Sequence, residues 1–134
     1  MSFRTPIGRA RGLGSAHAGV HHWTVQRLTA ISNVPLVLWF IASAVSLSGA
    51  TYADTVEWLA SPITATLMIL LVISVFYHAK LGLQVIIEDY VHQPGAKIAA
   101  LAAVTLVIFA LAVACIVAIL RVSLGTLPLP TLEG

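Results

Sequence analysis

The chain of 134 residues is 59% hydrophobic and only 9% charged, with a formal net charge of +2, whereas a soluble domain carries about 25% charged residues. So few charges cannot cover a water-facing surface, which excludes an ordinary soluble globule, a disordered tail and a nucleic-acid binder. One cysteine, Cys115, inside an apolar run, excludes a disulfide framework and a Cys-x-x-Cys metal site.

The first segment, 1–27, holds Arg4, Arg9, Arg11 and Arg27 and three close histidines, His17, His21 and His22. Two readings fit the histidines: a metal site, or packing against a soluble partner at the membrane surface. No carboxylate or cysteine joins them, which favours the second. An apolar span follows at 28–48. It is long enough to cross a bilayer, which takes about 20 helical residues, and longer than the apolar run of about 7–15 residues in a signal peptide. Pro35 is expected to kink it, as membrane helices tolerate. Arg27 opens this span. It is either a positive-inside anchor or a guanidinium fork suited to a carboxylate such as a haem propionate.

The loop 49–62 contains Asp54 and Glu57 and no Lys or Arg. The second span covers 63–87, on a helix expected to run to about residue 90, with Pro62 fitting its first turn. His92-Gln-Pro-Gly95 reads as a tight turn into the third span, 98–120. The tail 121–134, with Pro128 and Pro130, reads as an irregular extension. Trp23, Trp39 and Trp58 suit interfacial or packing positions. The expected fold is therefore all-α: one integral membrane domain over 1–134, with three transmembrane helices joined antiparallel by short loops. The arginines before the first span and Lys97 in the second loop put the N-terminus and that loop in the cytoplasm.

Ionisable residues inside a membrane are costly and point to function. At about 100° per residue, His78, Gly82, Val85 and Asp89 share one stripe of the second helix. His78 and Asp89 are eleven residues apart, or about 16 Å along the axis. His78 thus lies deep, and Asp89 and Tyr90 lie near the surface. His78 is either a core histidine donating to a carbonyl of a neighbouring helix or an axial haem ligand. A b-type haem between helices takes two histidines, and His17, His21, His22 and His92 all sit at the cytoplasmic edge, so a second ligand has to come from a partner. Gly82 leaves room on that face for a flat ligand or a close helix. Asp89 and Tyr90 either mark the wet end of the helix or bind a quinone carbonyl, the phenol donating a hydrogen bond and the acid relaying protons. Lys80 points away from His78 and is expected to snorkel or to pair with another chain.

Two motifs give a resemblance. One is Gly19-Val-His21-His22-Trp23-Thr-Val-Gln-Arg27-Leu-Thr-Ala30. The other is His78-Ala-Lys80-Leu-Gly82 followed by Asp89-Tyr90-Val91. With three spans and an inside N-terminus, the whole chain resembles the smaller of the hydrophobic membrane anchors of bacterial succinate dehydrogenase (respiratory complex II). The resemblance implies that His78 is an axial ligand of haem b, shared with a second anchor subunit. It implies that Arg27 lies near the haem propionates, that Tyr90 hydrogen-bonds ubiquinone, and that Asp89 stands beside it in the quinone site. His21 matches a histidine of the family's N-terminal segment, while His22 stands where some relatives carry an acid. It further implies a bacterial inner-membrane assembly with a flavoprotein and an iron–sulfur subunit. There succinate is oxidised on the flavin and this chain is not catalytic by itself. A fumarate reductase anchor and a non-catalytic three-helix subunit of another respiratory complex are the competing readings. A transporter component fits less well, since the spans hold no acidic pair for coupling ions.

Overall fold

Proline and glycine placement explains where this chain turns. The computed structural model describes residues 15–125, as four helices and, among those residues, no strand: α1 (Ser15–Ser46), α2 (Tyr52–Ala60), α3 (Pro62–Tyr90) and α4 (Pro94–Ser123). Three stretches are long and apolar enough to cross a membrane: Trp23–Ser46, Pro62–Tyr90 and Pro94–Ser123. The chain is a multi-pass membrane protein.

Two polar side chains of α1 bond back to their own helix. The hydroxyls of Thr24 and Ser32 donate to the carbonyls of Val20 and Leu28 at 2.8 and 2.9 Å, as helical Ser and Thr do where water is absent. The helix continues through Pro35, whose missing N–H leaves the Ile31 carbonyl without its usual donor. It stops where Gly49 takes φ +86°, a left-handed end that glycine adopts without strain.

α2 lies inside what reads from sequence as an irregular loop. A capping box starts it: the Thr51 N–H donates to Asp54 Oδ2 at 2.8 Å and the Asp54 N–H to Thr51 Oγ1 at 3.3 Å. These pairs satisfy two of the backbone donors that a helix start leaves open. The Thr51 backbone N–H, and next its hydroxyl, hold the Asp54 carboxyl below the usual carboxylate range. Ser61 is extended, at φ −62° and ψ 127°, because the ring of the following Pro62 disfavours helical geometry before it. One residue thus forms the corner between α2 and α3. Gln93 before Pro94 makes the next corner in the same way, at φ −77° and ψ 120°. There Lys97 Nζ donates to the Glu88 carbonyl at 2.8 Å, covering one of the open acceptors at the end of α3.

α3 is the central helix. α1 packs on one side of it and α4 on the other, α2 lies against α3 and α4, and α1 does not meet α4 among the described residues. Among those residues the buried positions are Thr64, Ala65, Leu71 and Leu81 on α3 and Ile119 on α4. Trp39 of α1 stacks on Trp58 of α2, with ring centroids 6.0 Å apart.

Two expected boundaries need correcting. The first helix begins by Ser15, so Arg27 lies inside α1 instead of opening it. Hydropathy marks where the membrane begins, but no proline interrupts Ser15 to Arg27 and the backbone stays helical beyond the apolar run. For the same reason the last helix begins at Pro94, ahead of the span starting at residue 98. Segment 1–14, the tail 126–134, and the side chains of His17 and His22 lie outside the described residues.

Candidate functional site

His78 sits on α3 where α1 crosses it, half-buried. Its Nδ1 is 3.1 Å from Thr29 Oγ1 of α1. The Thr29 hydroxyl also reaches back to the carbonyls of its own helix, Gln26 at 2.9 Å and Val25 at 3.0 Å. Beside them, Ser74 Oγ of α3 donates to the Thr29 carbonyl at 3.5 Å. A polar seam therefore joins α1 to α3, and one imidazole nitrogen is already engaged within it.

The ring borders an open cleft of about 310 Å³ lined by Trp23, Gln26, Arg27, Ala30 and His78. Arg27 lies over Trp23, its guanidinium carbon 4.3 Å from the ring centroid. This stack holds the fork at the cleft by cation–π attraction. The two residues suited to a metalloporphyrin, an imidazole for the metal and a guanidinium for a carboxylate, thus share one cleft. The adjoining face is clear too: a Cβ added at Gly82 would meet nothing within 4 Å. No helix of this chain fills that space among the described residues, so the glycine's room is left to a flat ligand or another chain. These features fit a haem edge. No other histidine lines the cleft, and no cluster of three or more metal-binding side chains occurs among the described residues.

Asp89 and Tyr90 lie elsewhere. Both are exposed at the end of α3, Tyr90 to 79%. Neither borders the His78 cleft, and among the described residues no hydrogen bond engages the Asp89 carboxylate or the Tyr90 hydroxyl. The neighbouring side chains are engaged instead: His92 Nδ1 is 3.1 Å from the Tyr90 carbonyl, and the Gln84 amide donates to the Glu88 carboxylate at 2.8 Å. This corner presents a carboxylate and a phenol outward from a tied helix end.

Lys80 is on another side of α3 from His78, as expected. It borders a cavity of about 350 Å³ between α3 and α4, with Tyr77, Thr105 and apolar residues. Its ammonium lies 5.9 Å from the Tyr77 ring centroid. Cys115 is half-buried. His21 is exposed on α1.

Sequence reasoning missed Thr29, Gln26 and the Trp23 stack. A signal was present: Gln26, Thr29 and Asn33 recur at helical spacing as one polar stripe on an apolar span. Asn33 Oδ1 is buried with no hydrogen-bond partner among the described residues, so the stripe extends past Thr29, the residue that meets His78.

The succinate dehydrogenase/fumarate reductase transmembrane-subunit family model matches residues 1–119. Over 89 residues the chain is 39% identical to the succinate dehydrogenase hydrophobic membrane anchor subunit of Rickettsia bellii (strain RML369-C), covering 66% of this chain and 71% of that protein. Over 130 residues it is 32% identical to the subunit of the same name from Paracoccus denitrificans, covering 95% and 98%.

Proposed function

The chain belongs to the succinate dehydrogenase/fumarate reductase transmembrane-subunit family, as a hydrophobic membrane anchor subunit of succinate dehydrogenase, and we propose that it supplies one axial ligand to haem b and part of a ubiquinone site. His78 is the ligand and Arg27 binds a haem propionate. A second anchor subunit provides the opposing ligand, and the flavoprotein and iron–sulfur subunits dock on the cytoplasmic side of the bacterial inner membrane, where the N-terminus also lies. The observation that carries this reading is the His78 ring itself: its Nδ1 faces Thr29 at 3.1 Å while the ring borders an open cleft shared with Arg27. That arrangement leaves Nε2 for a metal.

When bound, haem supplies one-electron redox chemistry. The chain's own residues bind and orient. His78 fixes the metal, and Arg27, already stacked on Trp23, offers two parallel donors to a carboxylate. About three helical turns away, Tyr90 donates its hydroxyl hydrogen to a quinone carbonyl, and Asp89 takes up and passes protons from the aqueous edge. Their exposure supports a site completed by other subunits.

Purification in mild detergent tests the proposal. Three further subunits are expected to co-purify with the chain, and the complex is expected to show a reduced b-type haem spectrum. A complex with those subunits and no haem would remove the ligand role. A haem protein lacking a flavoprotein would remove the proposed assembly.

A further inference from the structure

Resting on the haem reading, we propose that Thr29 is a positioning residue for His78, which holds the imidazole as the Nδ1–H tautomer and sets the plane of the ring. A threonine hydroxyl has one hydrogen to donate and lone pairs to accept with. In Thr29 the hydrogen faces two carbonyls of its own helix, at 2.9 Å and 3.0 Å, the usual destination for a hydroxyl within a helix. The lone pairs are then what face His78 Nδ1 at 3.1 Å. The imidazole hydrogen lies on Nδ1 and donates to Thr29, and Nε2 carries the bare lone pair. The reverse direction would place the ring hydrogen on Nε2 and leave no nitrogen free for a metal.

The contact also fixes orientation. A ring pinned at Nδ1 by a group on the neighbouring helix cannot rotate freely about its bond to Cβ. The Ser74 hydroxyl reaches the Thr29 carbonyl, so the pinning residue is tied to α3 as well. Hydrogen bonding at the far nitrogen makes a ligand histidine more basic, and loss of such a partner weakens metal binding by about 10–100-fold. A more basic ligand favours ferric over ferrous iron. Thr29 therefore lowers the haem midpoint potential and tightens haem retention.

The test uses the whole detergent-purified complex carrying Thr29→Val, Thr29→Ala or Thr29→Ser, with His78→Ala as reference. Valine keeps the shape of threonine and deletes the hydroxyl. It is expected to raise the midpoint potential, to shift the low-spin ferric resonance that reports ring orientation, and to speed haem transfer to an acceptor globin. Alanine should do the same, and serine should restore all three. A role in helix packing alone would alter stability, leave potential and resonance where they were, and be relieved no better by serine than by valine. Wild-type potential and resonance in the valine complex overturn the proposal. So does failure of Thr29→Val, Thr29→Ala and Thr29→Ser alike to assemble, since a retained hydroxyl then rescues nothing and Thr29 is only a lock between helices. If His78→Ala keeps its haem, the ligand reading itself fails, independently of Thr29.

Discussion

At the scale of single residues, the proposed function divides into two assignments, a haem ligand and a quinone donor. His78→Ala removes an imidazole at the cleft but no membrane-spanning capacity, so the chain is expected to insert and the complex to lose or destabilise haem b. An unchanged reduced α-band in the purified variant would end the assignment. Arg27→Leu is expected to act more weakly, because a charge-assisted hydrogen bond contributes about 1.5–3 kcal/mol, whereas the ligand bond fixes the iron. A redox titration decides: wild-type potential with full occupancy returns Arg27 to a charge that orients the chain in the membrane. Tyr90→Phe keeps the ring and deletes one hydroxyl, so quinone reduction is expected to fall by about tenfold or more, a hydrogen bond to developing charge being worth several kcal/mol. Succinate oxidation through a dye that accepts electrons from the soluble subunits should hold steady. A parallel fall in both assays makes Tyr90 an assembly residue. His78 and Arg27 stand out in the sequence as candidates because an imidazole or a charge in an apolar span is costly, and the structure brings the two to one cleft. Thr29 does not stand out, because a threonine in a membrane helix ordinarily bonds its own backbone, and its second partner lies on a helix far along the chain.

At the scale of elements, Pro62 marks a boundary that sequence reads well, whereas hydropathy starts the last helix at 98 and misses Pro94, where that helix begins. Pro62 and Pro94 each open a helix, and the expected start of the second span, at 63, falls beside the first of them. No proline stands between Ser15 and Arg27, and the apolar run gives only the part inside the bilayer. α2 was hidden by its length of nine residues and by its mixed polarity, although Thr51-x-x-Asp54 is a helix-start signature. That box makes a prediction about acid. The Asp54 carboxyl is held below its usual range by Thr51. A depressed folded value means that the contribution is present above the ordinary carboxylate value, about 3.9, and is lost as pH falls through the lowered one. α2 is expected to fray in that acid window and not on raising pH. The stacked pair Trp39 and Trp58 reports it through near-ultraviolet circular dichroism, and Asp54→Ala should show the acid-type signal at neutral pH. An Asp54→Ala spectrum identical to wild type would show that α2 is held by packing alone.

At the scale of the whole molecule, the arrangement is a row with α3 in the middle and not a closed bundle, since α1 and α4 do not meet among the described residues. Three helices in a row cannot enclose a cofactor. The His78 cleft is open and has one histidine on its wall, so under the proposed function a haem there would be shared with a neighbour. His21 is exposed on α1, and His92 lies in the turn after α3, engaged with the Tyr90 carbonyl, so neither faces His78 across the cleft. The three-helix count was readable from hydropathy, but the row was not, because pairing between apolar faces leaves no periodic mark in a chain that is apolar all round. The arrangement predicts the outcome of producing the chain without a second anchor subunit. Each span satisfies nearly all its backbone hydrogen bonds internally, and membrane helices tolerate the gap at Pro35, so the chain should still insert and resist alkaline extraction. It should hold no low-spin haem, because half of an axial pair leaves one iron position to water or solvent-borne ligands. Reduced-minus-oxidised spectra of such membranes are therefore expected to lack the b-type α-band, and co-production of the second anchor should bring it back. Substituting His78 in the co-produced pair should remove it again. A full α-band from the chain alone would mean that it supplies both ligands itself, by pairing two copies across their open clefts, and the shared-haem assembly would have to be replaced by a symmetric one.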